Sequence, residues 1–149
     1  MRAVVQRVDS ASVEIEGNIH SKIGRGLLIL VGVEKNDTEK DADYLAEKCA
    51  CLRIFEDDSG RMNLSAVELK LEALVVSQFT LLGDVRKGRR PGFDSAMEPS
   101  TAETLIERFY TRLAGTGIKT SKGVFRTHMK VALLNDGPVT ILLDSRKVF

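Results

Sequence analysis

Between Gly26 and Val33 the chain runs through eight residues, GLLILVGV, without one polar side chain. A strand with one wet face alternates apolar and polar residues, so an unbroken run of this length fits a strand covered on both faces. It falls well short of the ~20 apolar residues that a membrane-spanning helix needs. The fold must therefore place cover on two sides of one central strand. A chain of 149 residues, 43% hydrophobic and 29% charged with 3 Pro and 12 Gly, has the material for this within a single domain over residues 1–149. At this size a domain buries roughly 70% of its unfolded surface. The same composition excludes a disordered or collagen-like chain.

Most of the remaining segments also read as strands. Residues 3–8 and 12–16 have strand character, with Val13 and Ile15 alternating with Glu14 and Glu16. Gly17-Asn18 is placed to turn the chain into a partner strand over residues 19–23. Further strands are expected at 73–81, 118–121, 129–134 and 139–143, with turns at 57–60 and 135–138. Two segments have helical spacing. Thr38 and Asp41 can cap a helix whose stripe is Ala42, Leu45, Ala46, Cys49 and Leu52, running to about Arg53. Ser100 and Glu103 form a capping-box pattern ahead of Ala102, Leu105, Ile106, Phe109 and Leu113, with Gly115 as the stop. Strands interrupted by helices only twice argue against regular βαβ units. The expected class is mixed α/β: a curved mixed sheet or open barrel-like sheet carrying two amphipathic helices.

Net charge is +1, yet residues 1–80 hold 10 basic and 14 acidic side chains, whereas residues 81–149 hold 12 and 7. The second half can face a polyanion. Its densest cluster, Arg86, Lys87, Arg89 and Arg90 around Gly88, suits phosphate contacts as well as it suits a solvated loop. Cys49 and Cys51 lie two apart, a spacing that suggests neither a disulfide framework nor a zinc quartet and fits small residues near a core. His20 and His128 have no Cys or His neighbour at ligand spacing. No metal and no cofactor are expected. Arg7 and Asp9 stand where a secretory signal would continue its apolar core, so the expected compartment is the cytoplasm, with no membrane partner.

The usual catalytic signatures are missing: no phosphate-binding Gly-x-x-x-x-Gly-Lys, no Gly-x-Ser-x-Gly elbow and no His-Glu-x-x-His. Two short stretches are unusual. In Ser77-Gln78-Phe79-Thr80, hydroxyl, amide and aromatic side chains cluster at the end of an apolar strand; they either terminate the strand, with Phe79 in the core, or belong to a site. Asn135-Asp136-Gly137-Pro138-Val139-Thr140 reads as a hairpin turn. Alternatively, a cis Gly137-Pro138 peptide would redirect successive carbonyls, which accept hydrogen bonds from an ammonium group. Pattern alone leaves both choices open.

These two stretches resemble the signature motifs of the D-aminoacyl-tRNA deacylase family, also called D-tyrosyl-tRNA deacylases. Val5-Gln6-Arg7-Val8, Ala11-Ser12-Val13, Gly26-Leu27-Leu28, Arg53-Ile54-Phe55, Met62-Asn63-Leu64 and Arg90-Pro91 with Phe93 match in the family's order across nearly the whole chain. The resemblance implies an enzyme that hydrolyses the ester of D-aminoacyl-tRNA, and of glycyl-tRNA mischarged on tRNA(Ala), while sparing L-aminoacyl forms. It implies a homodimer in which each site receives the Gly-cisPro turn of the opposite subunit. Gly137 and Pro138 would then bind the substrate ammonium and wall off an L side chain. Gln78, Phe79 and Thr80 would carry the catalysis, with the Phe79 and Thr80 amides as oxyanion donors. The tRNA 2′-hydroxyl would assist, so that Thr80 need not act as nucleophile. Ser77, Phe125 and Met129 would bind substrate, the latter two at the terminal adenine. Arg7 would brace the gate. Arg126, Thr127 and His128 depart from the small and acidic residues usual between that Phe and Met.

Overall fold

In the computed structural model, which describes residues 1–149, β1 (Arg2–Ile15) turns into β2 (Asn18–Ile23), and β3 (Gly26–Gly32) follows. The turn is Glu16-Gly17, one residue earlier than expected. Both residues have positive φ, 51° and 81°, as a two-residue hairpin turn requires. After β3 come α1 (Glu39–Ala50), a small hairpin of β4 (Phe55–Glu56) and β5 (Met62–Leu64), then β6 (Glu72–Ser77) and one turn of 3-10 helix (Phe79–Leu82). The chain closes with α2 (Pro99–Ala114), β7 (Lys119–Lys122) and β8 (Lys130–Asp144).

The sheet is mixed, as expected. Its order is β2-β1-β3-β6-β7, with β8 along the opposite edge of β1; the β3–β6 and β6–β7 pairs are parallel and the pairs of β1 antiparallel. β3 is covered on both faces. Leu27, Ile29 and Val31 enter the larger core, beneath α1 and α2, while Leu28 enters a smaller core on the other side with Val8, Val13, Leu74 and Val76.

Residues 3–8 and 12–16 form one strand, not two. Asp9 is a bulge: Val8 pairs with Asn135 and Ser10 with Leu134, leaving Asp9 as the extra residue. The bulge exchanges the faces of β1. Ala3 and Val5 point into the larger core, but Ala11 and Val13, of the same parity, point into the smaller one. β8 likewise passes residues 135–138, where a hairpin turn is one of the two readings, without reversing, and rejoins β1 at Thr140. The strand expected over residues 73–81 stops at Ser77 and gives way to the 3-10 turn.

Both helices bury the expected stripes except for Leu52, which lies past the end of α1, and Ile106, which is half-buried. α1 buries Ala42, Leu45, Ala46 and Cys49 but ends at Ala50, short of Arg53; at its start the Asp41 carboxylate accepts from the Thr38 N–H and hydroxyl, both at 2.8 Å. α2 buries Ala102, Leu105, Phe109 and Leu113 and stops at Gly115, yet it does not begin with a Ser100 capping box. Glu98 is the N-cap and Pro99 the first helical residue, a position that suits a residue with fixed φ and no N–H. No helix is long and apolar enough to cross a membrane.

The two cysteines differ in environment. Burial pushes the Cys49 thiol far up from its ordinary pKa, whereas Cys51 is exposed. A disulfide-exchange reagent is expected to titrate a single thiol per folded chain at pH 8 and both in denaturant; fast modification of both in the native protein would contradict this packing.

Candidate active site

The parallel ladder between β3 and β6 ends at the pair Val31 and Ser77, and the next N–H, that of Gln78, donates to the Val31 carbonyl at 2.8 Å. The chain then closes into the 3-10 turn directly against β3. Gly32 permits this, because a Cβ there would stand 2.9 Å from the Gln78 carbonyl oxygen. Ser77, Gln78 and Phe79 consequently form one lip of a cavity of about 610 Å³, whose other walls come from β3, the Ala96-Met97 segment, the first half of α2 and residues 125–129. Phe79 is not a core residue: its side chain is 59% exposed and meets Phe93 edge-on, ring centroids 5.0 Å apart. Gly123 donates its N–H to Val75 at 2.9 Å, and its missing Cβ leaves space for the Met129 sulfur. This brings Phe125 and Met129 to the cavity from the far side.

The lining is mostly apolar, and no carboxylate contributes to it; its charged or titratable members are Arg126 and His128. The Thr80 hydroxyl oxygen accepts a hydrogen bond from the Gln78 carboxamide. Neither end of a carboxamide takes up a proton near neutral pH, so this contact orients Thr80 without activating it as a nucleophile. The Phe79 and Thr80 N–H groups open the 3-10 turn and so have no acceptor within it. No cluster of three or more His, Cys, Asp or Glu side chains could hold a metal ion.

The Gly137-Pro138 bond is cis. The ladder between β1 and β8 passes from Val8–Asn135 to Gln6–Thr140, so four residues, 136–139, bulge out opposite the single residue Arg7. Arg7 is buried and holds this excursion: Nε lies 3.1 Å from both the Asp136 carbonyl oxygen and its Oδ2, and Nη1 donates to the Ile54 carbonyl at 2.7 Å. Asn135 closes the other side. Its Nδ2 donates to Gln6 Oε1 at 2.6 Å and to Thr140 Oγ1 at 3.2 Å, while its Oδ1 accepts the Val139 N–H at 3.0 Å.

Of the residues expected at the site, the cavity gathers Ser77, Gln78, Phe79, Phe125 and Met129. Thr80 follows behind the lip, and Gly137, Pro138 and Arg7 do not line the cavity of their own chain. Sequence reasoning missed Ala96 and Met97 in the lining, noted Arg126, Thr127 and His128 only as departures between Phe125 and Met129, and counted Ala102 and Ile106 only as part of a core stripe. Ile106 does belong to that stripe, and position within the stripe gave no sign that its end opens onto a cavity. The basic loop stands beside the lip. Asp84 and Gly92 exchange backbone hydrogen bonds at its base, of 2.8 and 2.9 Å, and Phe93 meets Phe79. Arg86 is engaged by Asp84, whose carboxyl it holds down to about 2, whereas Lys87, Arg89 and Arg90 are exposed and form no ion pair.

Residues 4–144 match the family described as D-Tyr-tRNA(Tyr) deacylase. The chain is 57% identical over all 149 residues to a D-aminoacyl-tRNA deacylase of Halothermothrix orenii, covering 100% of both, and 56% identical to one from Geobacter sulfurreducens, covering 98% of this chain and 96% of the relative. Among solved structures, the c-Myc DNA unwinding element binding protein superposes with a TM-score of 0.91 at 42% identity, covering 97% of this chain and 98% of that one. A probable eukaryotic D-amino acid tRNA deacylase shares the fold at a TM-score of 0.82 and 16% identity, over 95% and 97% of the two chains.

Proposed function

Because this chain belongs to the D-Tyr-tRNA(Tyr) deacylase family, we propose that its cavity releases D-amino acids from mischarged tRNA by hydrolysing the ester to the terminal adenosine, as a proofreading step of translation in the cytoplasm. Water attacks the ester carbonyl, the bond to the ribose oxygen breaks, and that oxygen leaves with a proton. The Phe79 and Thr80 amides stabilise the developing oxyanion. The neighbouring 2′-hydroxyl of the substrate positions water or shares its proton, which accounts for a lining without a carboxylate base. Phe125 and Met129 hold the adenine, the aromatic ring by stacking.

Handedness is selected by exclusion. D side chains differ in size, so contacts made to any one of them discriminate little, whereas a main-chain wall rejects every L side chain alike. Glycine has nothing to exclude, and glycyl-tRNA is accepted. The wall is Gly137-Pro138, supplied by a second copy of the chain. One observation carries this reading: both residues are exposed on β8 and stand apart from their own cavity. β8 pairs with no strand but β1, and Leu134 and Leu142, on either side of the gate, are 59% and 57% exposed. A self-association face with the gate at its middle fits this strand.

Incubation of the protein with D-tyrosyl-tRNA and L-tyrosyl-tRNA tests the function: the D amino acid is expected to be released and the L form spared. Binding of tRNA without release would instead support an RNA-binding module.

A further inference from the structure

The cavity contains one arginine, and nothing in the chain engages it. Arg126 forms no hydrogen bond and no ion pair, and unlike Arg61, Arg89 and Arg90, which are also unpaired, it lines the cavity. Arg126 also has a φ of 57°, in the left-handed region that non-glycine residues enter at a cost and that collects at ligand clamps. The Thr127 hydroxyl donates to the Phe125 carbonyl at 3.4 Å across the same turn. Arg126 is exposed and lines the cavity next to Phe125.

We propose that Arg126 binds the 5′-phosphate of the terminal nucleotide. The inference rests on the reading of the cavity as the site of the terminal adenosine. With the base against Phe125 and Met129 and the ester at the Ser77–Phe79 lip, one anionic group of that nucleotide remains, the phosphate on its 5′ oxygen. A planar guanidinium free of carboxylates matches a phosphate by charge and by its two-pronged donor geometry. No lining carboxylate competes for it.

The test compares binding of adenosine and adenosine 5′-monophosphate to the full-length protein by calorimetry. The wild type is expected to bind the monophosphate about tenfold more tightly, the size of one charge-assisted contact. Arg126→Gln should reduce that ratio to about one, and Arg126→Lys should keep part of it as a point charge. A purely structural role for Arg126 would shift both affinities together and leave their ratio unchanged. Equal affinities in the wild type, binding of neither compound, or a ratio that survives Arg126→Gln overturns the proposal. Deacylation of D-tyrosyl-tRNA is measured on the same preparation. An Arg126-dependent preference for the monophosphate without deacylation would sink the proposed function and leave the phosphate contact standing.

Discussion

Replacing Gly137 by alanine is expected to lower kcat/KM for D-tyrosyl-tRNA by about 100-fold, the penalty for displacing a positioning element by about 1 Å. Gly137 has a φ of 124°, where an L side chain is strained, and an added Cβ would stand 2.8 Å from Val139 Cγ2 and 2.9 Å from Arg7 Nη2. One of these neighbours must move, and both adjoin the proposed gate. A cross-subunit gate makes a further demand. Gly137→Ala retains an intact cavity and Phe125→Ala retains an intact gate, so co-refolding the two weak variants should restore activity above either alone. A kinetic assay of the single and mixed proteins decides it. Wild-type turnover by Gly137→Ala would remove residue 137 from the mechanism, and a mixture no better than its parts would remove the exchange between subunits.

The second large effect falls on stability. Arg7→Ala removes a buried guanidinium, leaves Asp136 without its cation and takes from the Ile54 carbonyl its 2.7 Å donor. Breaking a buried ion pair from one side costs about 3–5 kcal/mol. Asp136 is 35% exposed and recovers some hydration, which places the expected loss near the lower end, about 3 kcal/mol. For a domain of this size that is a fall in Tm of about 6–12 °C. Arg7→Lys should lose less, since it keeps the charge while giving up the fork that spans Asp136 and Ile54. Thermal or urea unfolding of the three proteins measures this directly; an Arg7→Ala midpoint within 1–2 °C of wild type, roughly a surface-substitution effect, would mean the contacts to Asp136 and Ile54 contribute little.

How far sequence reached depended on the range of the signal. The run from Gly26 to Val33 and the two helical stripes are periodic, and each matches what the structure buries. Signals confined to a few residues were less secure. Asp9-Ser10 broke the apolar pattern of β1 and read as a gap, when it is a bulge inside one continuous strand. Asn135-Asp136-Gly137-Pro138 has turn chemistry, and the chain does leave the ladder there, but it rejoins the same partner strand instead of reversing. Ser100 looked like a helix cap until Pro99 took the first helical position. Motif resemblance named Ser77, Gln78, Phe79, Phe125 and Met129, whose convergence on one cavity no periodicity could indicate, because it depends on the 3-10 turn folding over Gly32. Arg126, Thr127 and His128 drew notice only as departures between Phe125 and Met129, because nothing local to the segment shows which wall it will form.

The excursion opposite Arg7 differs from an ordinary loop in how its ends are tied. Asn135 and Thr140 remain in the β1 ladder on either side of it, bound to Val8 and Gln6, with Arg7 beneath. A hairpin tip hangs from one end and can sway, whereas this protrusion is pinned at both feet like an arch. A filter that works by refusing room is only as strict as its wall is stiff, since a yielding wall would bend aside for the mirror-image side chain. Stiffness here would come from the sheet itself, so if residues 137 and 138 act as the proposed wall, its faithfulness would be set by the pairing of β8 with β1.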